Sequence, residues 1–221
     1  MEQRVVKILK KVGAVLTDDH FVYTSGKHGS IYINKDALYP HTGESSQVGK
    51  LFATKFKNKA VDVIVAPALG GIVLSQWAAY HLSQLKKREI LGLYTEKTPE
   101  KEQVFSRGYD KFVKGKKVLV IEDITTTGGS VKKVVEAVRA AGGRVIAVYV
   151  MVNRDPKNIN SQFIGAPFSA LAVVRAQAFD AKDCPLCRAG KPINTTVGHG
   201  KKFLEARGAY RGGKLELGVV S

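Results

Sequence analysis

Cysteine is almost missing from this sequence: the only two stand in one short stretch, CPLC, at Cys184 and Cys187. That rules out a disulfide scaffold for a chain of 221 residues. Cys-x-x-Cys is half of a zinc site, and His199 offers a third ligand, but no second cysteine pair completes the set. A thioredoxin-like redox role would want the motif opening a helix after an early strand, whereas here it lies late, in a loop-like segment. A structural or incidental use is the preferred reading. No metal ligand is assigned from the protein, and zinc on Cys184 and Cys187 is the minor alternative.

Acidic residues are also scarce: 19 Asp+Glu face 35 Lys+Arg, a net charge of +16. Such a field favours nucleic acid, phosphorylated small molecules or a membrane surface without choosing among them. Some of the excess simply keeps the surface soluble. No apolar run suits a membrane. The uncharged stretch from Val63 to Leu85 is broken by Pro67, Gly70, Gly71, Ser75, Gln76, His81 and Gln84, and reads as strand, loop and helix. The opening MEQRVVKILKKVGAVL reads as an amphipathic helix, not a signal peptide, so a cytoplasmic protein is expected. Walker A and GxGxxG fingerprints are missing. No helix-turn-helix, zinc-finger or RNA-binding signature accompanies the charge.

What is present is an ordinary globular balance, 44% hydrophobic and 24% charged, in a length suited to one well-buried core. Helical spacing covers Gly43 to Lys57, followed by the strand VDVIVAP from Val61 and a helix ending near Leu85. Further strands are EILGLYT from Glu89, KVLVIE from Lys117, RVIAVYVMV from Arg144 and FSALAVV from Phe168. Val131, Val134, Val135 and Val138 mark a helix that Gly142 and Gly143 stop. Alternating strands and helices imply an open, mostly parallel α/β sheet flanked by helices, with ligands beyond the carboxyl ends of its strands. Two glycine-bearing loops, APALGG and EDITTTGG, follow strands at that edge.

The second loop places two carboxylates, Glu122 and Asp123, before three threonines, two glycines and a serine. A strand-to-helix loop presents backbone N–H groups and the positive end of the helix dipole. Thr125, Thr126, Thr127 and Ser130 add hydroxyls, and Gly128 and Gly129 allow close approach, which together make a phosphate cradle. The acids repel phosphate but suit hydroxyls, an amine or a metal. A phosphorylated sugar supplies both halves. The plainer explanation is an acidic pair at a helix start.

VLVIEDITTTGGS resembles the phosphoribosyl-pyrophosphate (PRPP) signature of type I phosphoribosyltransferases. TSGKHGSIYINKDALYP, APALGG, MVNRD and CPLCRAGKPINTTVGHG resemble segments of the orotate phosphoribosyltransferases within that group, so the likeness spans nearly the whole chain. The resemblance implies a single domain. Its core is 44–175, its lid loop 96–116, and its small hood and additions are built from 1–40 and 176–221. It implies magnesium-dependent transfer of ribose 5-phosphate from PRPP to orotate, giving orotidine 5′-monophosphate and pyrophosphate in de novo pyrimidine (UMP) biosynthesis. Catalysis would rest on positioning and charge stabilisation without a covalent nucleophile.

By the same resemblance, Ile124 and the run Thr125 to Ser130 bind the 5-phosphate, and Glu122 and Asp123 hold the ribose hydroxyls. Arg154 pairs with the orotate carboxylate, with Thr126, Tyr32 and Lys35 as further orotate contacts and Ser25 and Lys27 as secondary ones. The polar segment between Thr95 and Lys116 is expected to close over pyrophosphate through Lys97, Lys101 and Arg107, reaching the neighbouring subunit of a homodimer. Here the sequence departs from the better-known pattern: Arg107-Gly108 stands where a His-Gly pair is usual. Two alternatives keep the cradle. One is a purine or uracil phosphoribosyltransferase. The other is a PRPP-sensing regulator whose basic surface binds nucleic acid, a partner the missing motifs disfavour.

Overall fold

A computed structural model describes residues 1–175, 177–208, 210–211 and 214–215. The chain forms two units: Met1–Val12 with Lys35–Arg175, and Gly13–Asn34 with Ala176–Ser221.

The first unit is built on a six-stranded sheet. Its elements are α1 (Glu2–Lys11), α2 (Thr42–Phe56), β1 (Val63–Pro67), α3 (Gly70–Lys86), β2 (Leu91–Lys97), β3 (Gln103–Val104), β4 (Lys117–Thr125), α4 (Gly129–Ala140), β5 (Arg144–Asn153), α5 (Ser161–Ile164) and β6 (Phe168–Val173). The strand order is β6-β5-β4-β1-β2-β3, with every pairing parallel except β2 with β3. β4 is central and buried without interruption from Val118 to Asp123, as expected of a parallel strand covered on both faces. The chain leaves β1 toward one side and β4 toward the other, so the loops after these two neighbours meet at a topological switch point.

On α4 the buried positions are Val131, Val134, Val135 and Val138, a single stripe facing the sheet. Burying each such side chain stabilises the fold by roughly 1.5–3 kcal/mol. The five parallel strands and the main helices match the sequence expectation. α1 belongs to this unit and not to a hood: the Val173 N–H donates to Glu2 Oε1 at 3.3 Å. The segment read as a lid loop contains a hairpin, β2 with β3, whose turn is closed by Thr98 N–H donating to Glu102 O at 2.9 Å.

The second unit pairs Val15–Leu16 with Tyr32–Ile33 and Phe21–Val22 with His28–Gly29, both antiparallel. Its late segment returns to these strands. Phe179 bridges to His28, and the Asn194 side chain donates to Asp19 Oδ2 at 2.7 Å. Among the described residues its buried apolar side chains are few: Ala14, Phe21, Val22, Tyr23, Ile33, Cys184 and Leu204.

Candidate active site

β4 ends with Glu122 and Asp123 buried, at 7% and 4% exposure, inside a strongly basic protein. Two such groups need partners. Asp123 Oδ2 accepts from the Tyr39 hydroxyl at 2.6 Å and lies 3.1 Å from Lys35 Nζ; Oδ1 accepts the Ile124 N–H at 2.5 Å. Burial works against the Lys35 ammonium, but the Asp123 and Asp36 carboxylates override it and hold its pKa above the ordinary lysine value. Burial and the Asp123 charge likewise push the Tyr39 phenol well up, so it stays a donor. For Glu122, burial first and the adjacent Asp123 second push the carboxyl well above the usual range, outweighing the Lys35 charge. The pair is therefore asymmetric: Asp123 is bound by Lys35 and Tyr39, while burial and the Asp123 charge favour the protonated form of Glu122.

Gly70, the first residue of α3, closes this cluster from the loop after β1. A Cβ built there would lie 2.2 Å from Asp123 Oδ2, 2.4 Å from the Tyr39 oxygen and 3.0 Å from Lys35 Nζ. Only a residue without a side chain lets that loop approach the acids. The peptide bond between Ala68 and Leu69 in the same loop is cis.

Beyond Asp123 the chain turns into α4. Gly128 caps the helix at φ +71°, and no side chain caps its first turn, so those N–H groups remain available to an anion. Thr126, Thr127 and Ser130 are exposed around this turn. Thr125 differs from the rest of the run: as the last residue of β4 it is buried, and its hydroxyl donates to Asn153 Oδ1 at 3.3 Å. Asn153 in turn accepts the Asp155 N–H at 3.0 Å and donates to Ile159 O at 3.2 Å. Arg154 is fixed beside the cradle because its backbone N–H donates to Thr125 O at 3.0 Å.

The structure thus brings Lys35, Glu122, Asp123, the Ile124–Ser130 turn and Arg154 to one edge of the first unit. Lys97 is exposed at the end of β2, and Lys101 sits in the hairpin turn at φ +66° with its carbonyl accepting from Lys133 Nζ at 2.9 Å. Arg107 is exposed and donates to Glu96 Oε1 at 3.1 Å. Tyr32 belongs to the second unit, where its ring packs on Phe21 with centroids 5.4 Å apart, and Lys27 there lies 3.7 Å from Asp180. The sequence reading did not single out Tyr39 or Asn153, whereas Gly70 lies in the APALGG loop already expected at this edge. Tyr39 falls within the quoted N-terminal segment, but nothing in its spacing couples it to a carboxylate 84 residues away.

The phosphoribosyl transferase domain family matches residues 34–164, more than half of the chain. The chain is 33% identical over 192 residues to the orotate phosphoribosyltransferase of Caldanaerobacter subterraneus, covering 87% of this chain and 95% of that one. It is 35% identical over 199 residues to that of Thermotoga maritima, covering 90% of this chain and 100% of that one. The crystal structure of Mycobacterium tuberculosis orotate phosphoribosyltransferase shares the fold with a TM-score of 0.61 at 21% identity, over 77% of this chain and 97% of that one. Matched from the carboxylate pair outward across nearly its whole length, the chain belongs to the orotate phosphoribosyltransferases of the phosphoribosyl transferase family.

Proposed function

We propose that the protein transfers ribose 5-phosphate from PRPP to orotate, releasing pyrophosphate and forming orotidine 5′-monophosphate for pyrimidine synthesis. The observation that carries this reading is the strand end where buried Glu122 and Asp123 run into an uncapped helix start, with Arg154 hydrogen-bonded alongside. The turn Thr126–Ser130 takes the 5-phosphate through backbone N–H groups and hydroxyls. Asp123, bound by Lys35 and Tyr39, accepts from a ribose hydroxyl, and Glu122 meets the next. Arg154 meets the orotate carboxylate with a bidentate fork, and Thr126 and Lys35 are its further contacts. Lys97, Lys101 and Arg107 meet pyrophosphate.

Both Asp123 oxygens already accept hydrogen bonds from the protein, a donor set that suits magnesium carried mainly by the substrate's own oxygens. When bound, that ion would supply positive charge to offset the diphosphate. The chain's own part is to align the two anions and to hold the ribose while the bond to the anomeric carbon changes. The same reading places the enzyme in the cytoplasm as a homodimer whose segment 96–116 closes over the neighbouring site. Among the described residues no helix is long and apolar enough to cross a membrane.

The test is pyrophosphate release from PRPP and magnesium with orotate, uracil, adenine, guanine and hypoxanthine offered separately. Turnover with orotate alone is expected. Turnover with another base overturns the role of Arg154. PRPP binding with no turnover on any base overturns the enzyme reading.

A further inference from the structure

Beyond the carboxylate site, the second unit gathers four metal-binding side chains from both ends of the chain. The sequence offered His199 as a third partner for Cys184 and Cys187, but His199 is engaged elsewhere: its Nε2 lies 3.1 Å from Thr24 Oγ1. His20 and His28 stand beside the cysteines instead, and one ligand atom from each of the four lies within 4.8 Å of all the others.

The spacing approaches that of a coordination shell, with the two histidine nitrogens somewhat closer together. His20 Nε2 is 2.9 Å from His28 Nδ1 and 3.7 Å from each sulfur, and Cys187 Sγ is 3.3 Å from His28 Nδ1. Four ligands around a tetrahedral zinc, at ~2.3 Å for sulfur and ~2.0–2.1 Å for nitrogen, stand roughly 3.3–3.8 Å from one another. The cysteines are not joined as a disulfide. His20, His28 and Cys184 are 1%, 0% and 0% exposed, while Cys187 reaches the surface.

The tautomers point the same way. His20 Nδ1 is 2.7 Å from Lys191 O; a carbonyl only accepts, so Nδ1 carries the hydrogen and Nε2 presents its lone pair inward. With no cation between them, His28 Nδ1 has to donate to that lone pair, which strands the lone pair of His28 Nε2. That atom is buried without a hydrogen-bond partner. A cation at the centre reverses the arrangement. His28 Nδ1 then becomes a ligand and Nε2 takes the hydrogen; the Phe203 ring packs edge-on against this imidazole, with the two ring centroids 4.7 Å apart.

We propose that the protein binds one structural zinc ion through His20 Nε2, His28 Nδ1 and the thiolates of Cys184 and Cys187. Binding releases the two thiol protons to solvent, and two thiolates cancel the dication, so the buried centre is neutral. Four protein ligands close the shell and leave no position for a substrate. Its role is mechanical. Two ligands come from Gly13–Asn34 and two from the late segment, so the ion fastens the pieces of a unit whose apolar core is too small to do so alone.

The full chain, stripped of metal by chelation and kept reduced, is titrated with cobalt(II) and then zinc(II). Expected are one cobalt per chain with the intense visible absorption of a tetrahedral centre and a thiolate charge-transfer band. Stoichiometric zinc then displaces cobalt, and the melting temperature of the zinc-loaded chain exceeds that of the stripped one. Cys187→Ser and His28→Gln each weaken zinc binding at least tenfold, while His199→Ala leaves stoichiometry and spectrum unchanged. Weak octahedral cobalt absorption in the wild type overturns the site whether or not the variants fold, as does loss of binding in His199→Ala. None of these readouts depends on transferase turnover.

Discussion

A single methyl group at Gly70 probes the carboxylate cluster from the loop after β1. In Gly70→Ala the new Cβ meets Asp123 Oδ2 at 2.2 Å and the Tyr39 oxygen at 2.4 Å, so these atoms retreat by roughly 1 Å to reach ordinary contact. The Tyr39–Asp123 bond, 2.6 Å long, cannot survive that displacement. Overpacking costs about 1–3 kcal/mol, and losing a hydrogen bond to a charged acceptor about 1.5–3 kcal/mol. Because the two share atoms they do not add fully, and a loss of about 2–5 kcal/mol in unfolding free energy is expected. Asp123 also leaves its position relative to the phosphate turn, so PRPP affinity falls at least tenfold, the equivalent of ~1.4 kcal/mol. Gly43→Ala is the control: nothing lies within 4 Å of its Cβ, and it should stay within ~0.5 kcal/mol of wild type. Urea unfolding and calorimetric titration of PRPP with magnesium report the two quantities. If Gly70→Ala matches Gly43→Ala in both, the close packing of that loop on Asp123 is not what organises the site.

Tyr39→Phe keeps the ring and removes the donor; a loss of about 1.5–3 kcal/mol is expected, and an unchanged urea midpoint would sink the claim that Asp123 depends on it. Asp123→Asn and Arg154→Ala should both cripple turnover but separate kinetically, the first weakening PRPP handling and the second mainly raising KM for orotate. Unchanged orotate kinetics in Arg154→Ala would refute the placement of the base. Glu122 gives a pH signature in the ligand-free protein. Its folded pKa lies above the ordinary 4.5, so between the two values the folded state holds a proton that the unfolded chain has released. Stability then falls as pH rises through that window, by up to ~1.4 kcal/mol per unit. Glu122→Gln removes this slope, so urea midpoints measured from pH 5 to 7 should diverge from wild type with rising pH; parallel profiles would contradict the assignment.

The sheet was legible because its strands are apolar runs and its helices carry 3.6-residue stripes, both local signals. The phosphate turn was legible for the same reason: Glu122 to Ser130 is contiguous. What holds that turn in place was not. Tyr39, Lys35 and Gly70 reach Asp123 through the packing of three elements far apart in sequence, and no periodicity encodes that meeting. Lys35, expected at the base, also faces the Asp123 carboxylate. The Cys-x-x-Cys pair shows the same limit. His199 is the nearby histidine the sequence offers, while the histidines that stand against the two sulfurs are 164 and 159 residues away from them.

That separation bears on how the protein is made. Gly13–Asn34 leaves the ribosome well before the residues it pairs with, from Phe179 to Asn194. The sheet of the first unit can assemble while synthesis continues. The second unit has to wait, its early strands unpaired with their late partners, until that segment is made. A chain released after the last sheet strand but before Phe179 carries the strands of the sheet and an unfinished second unit.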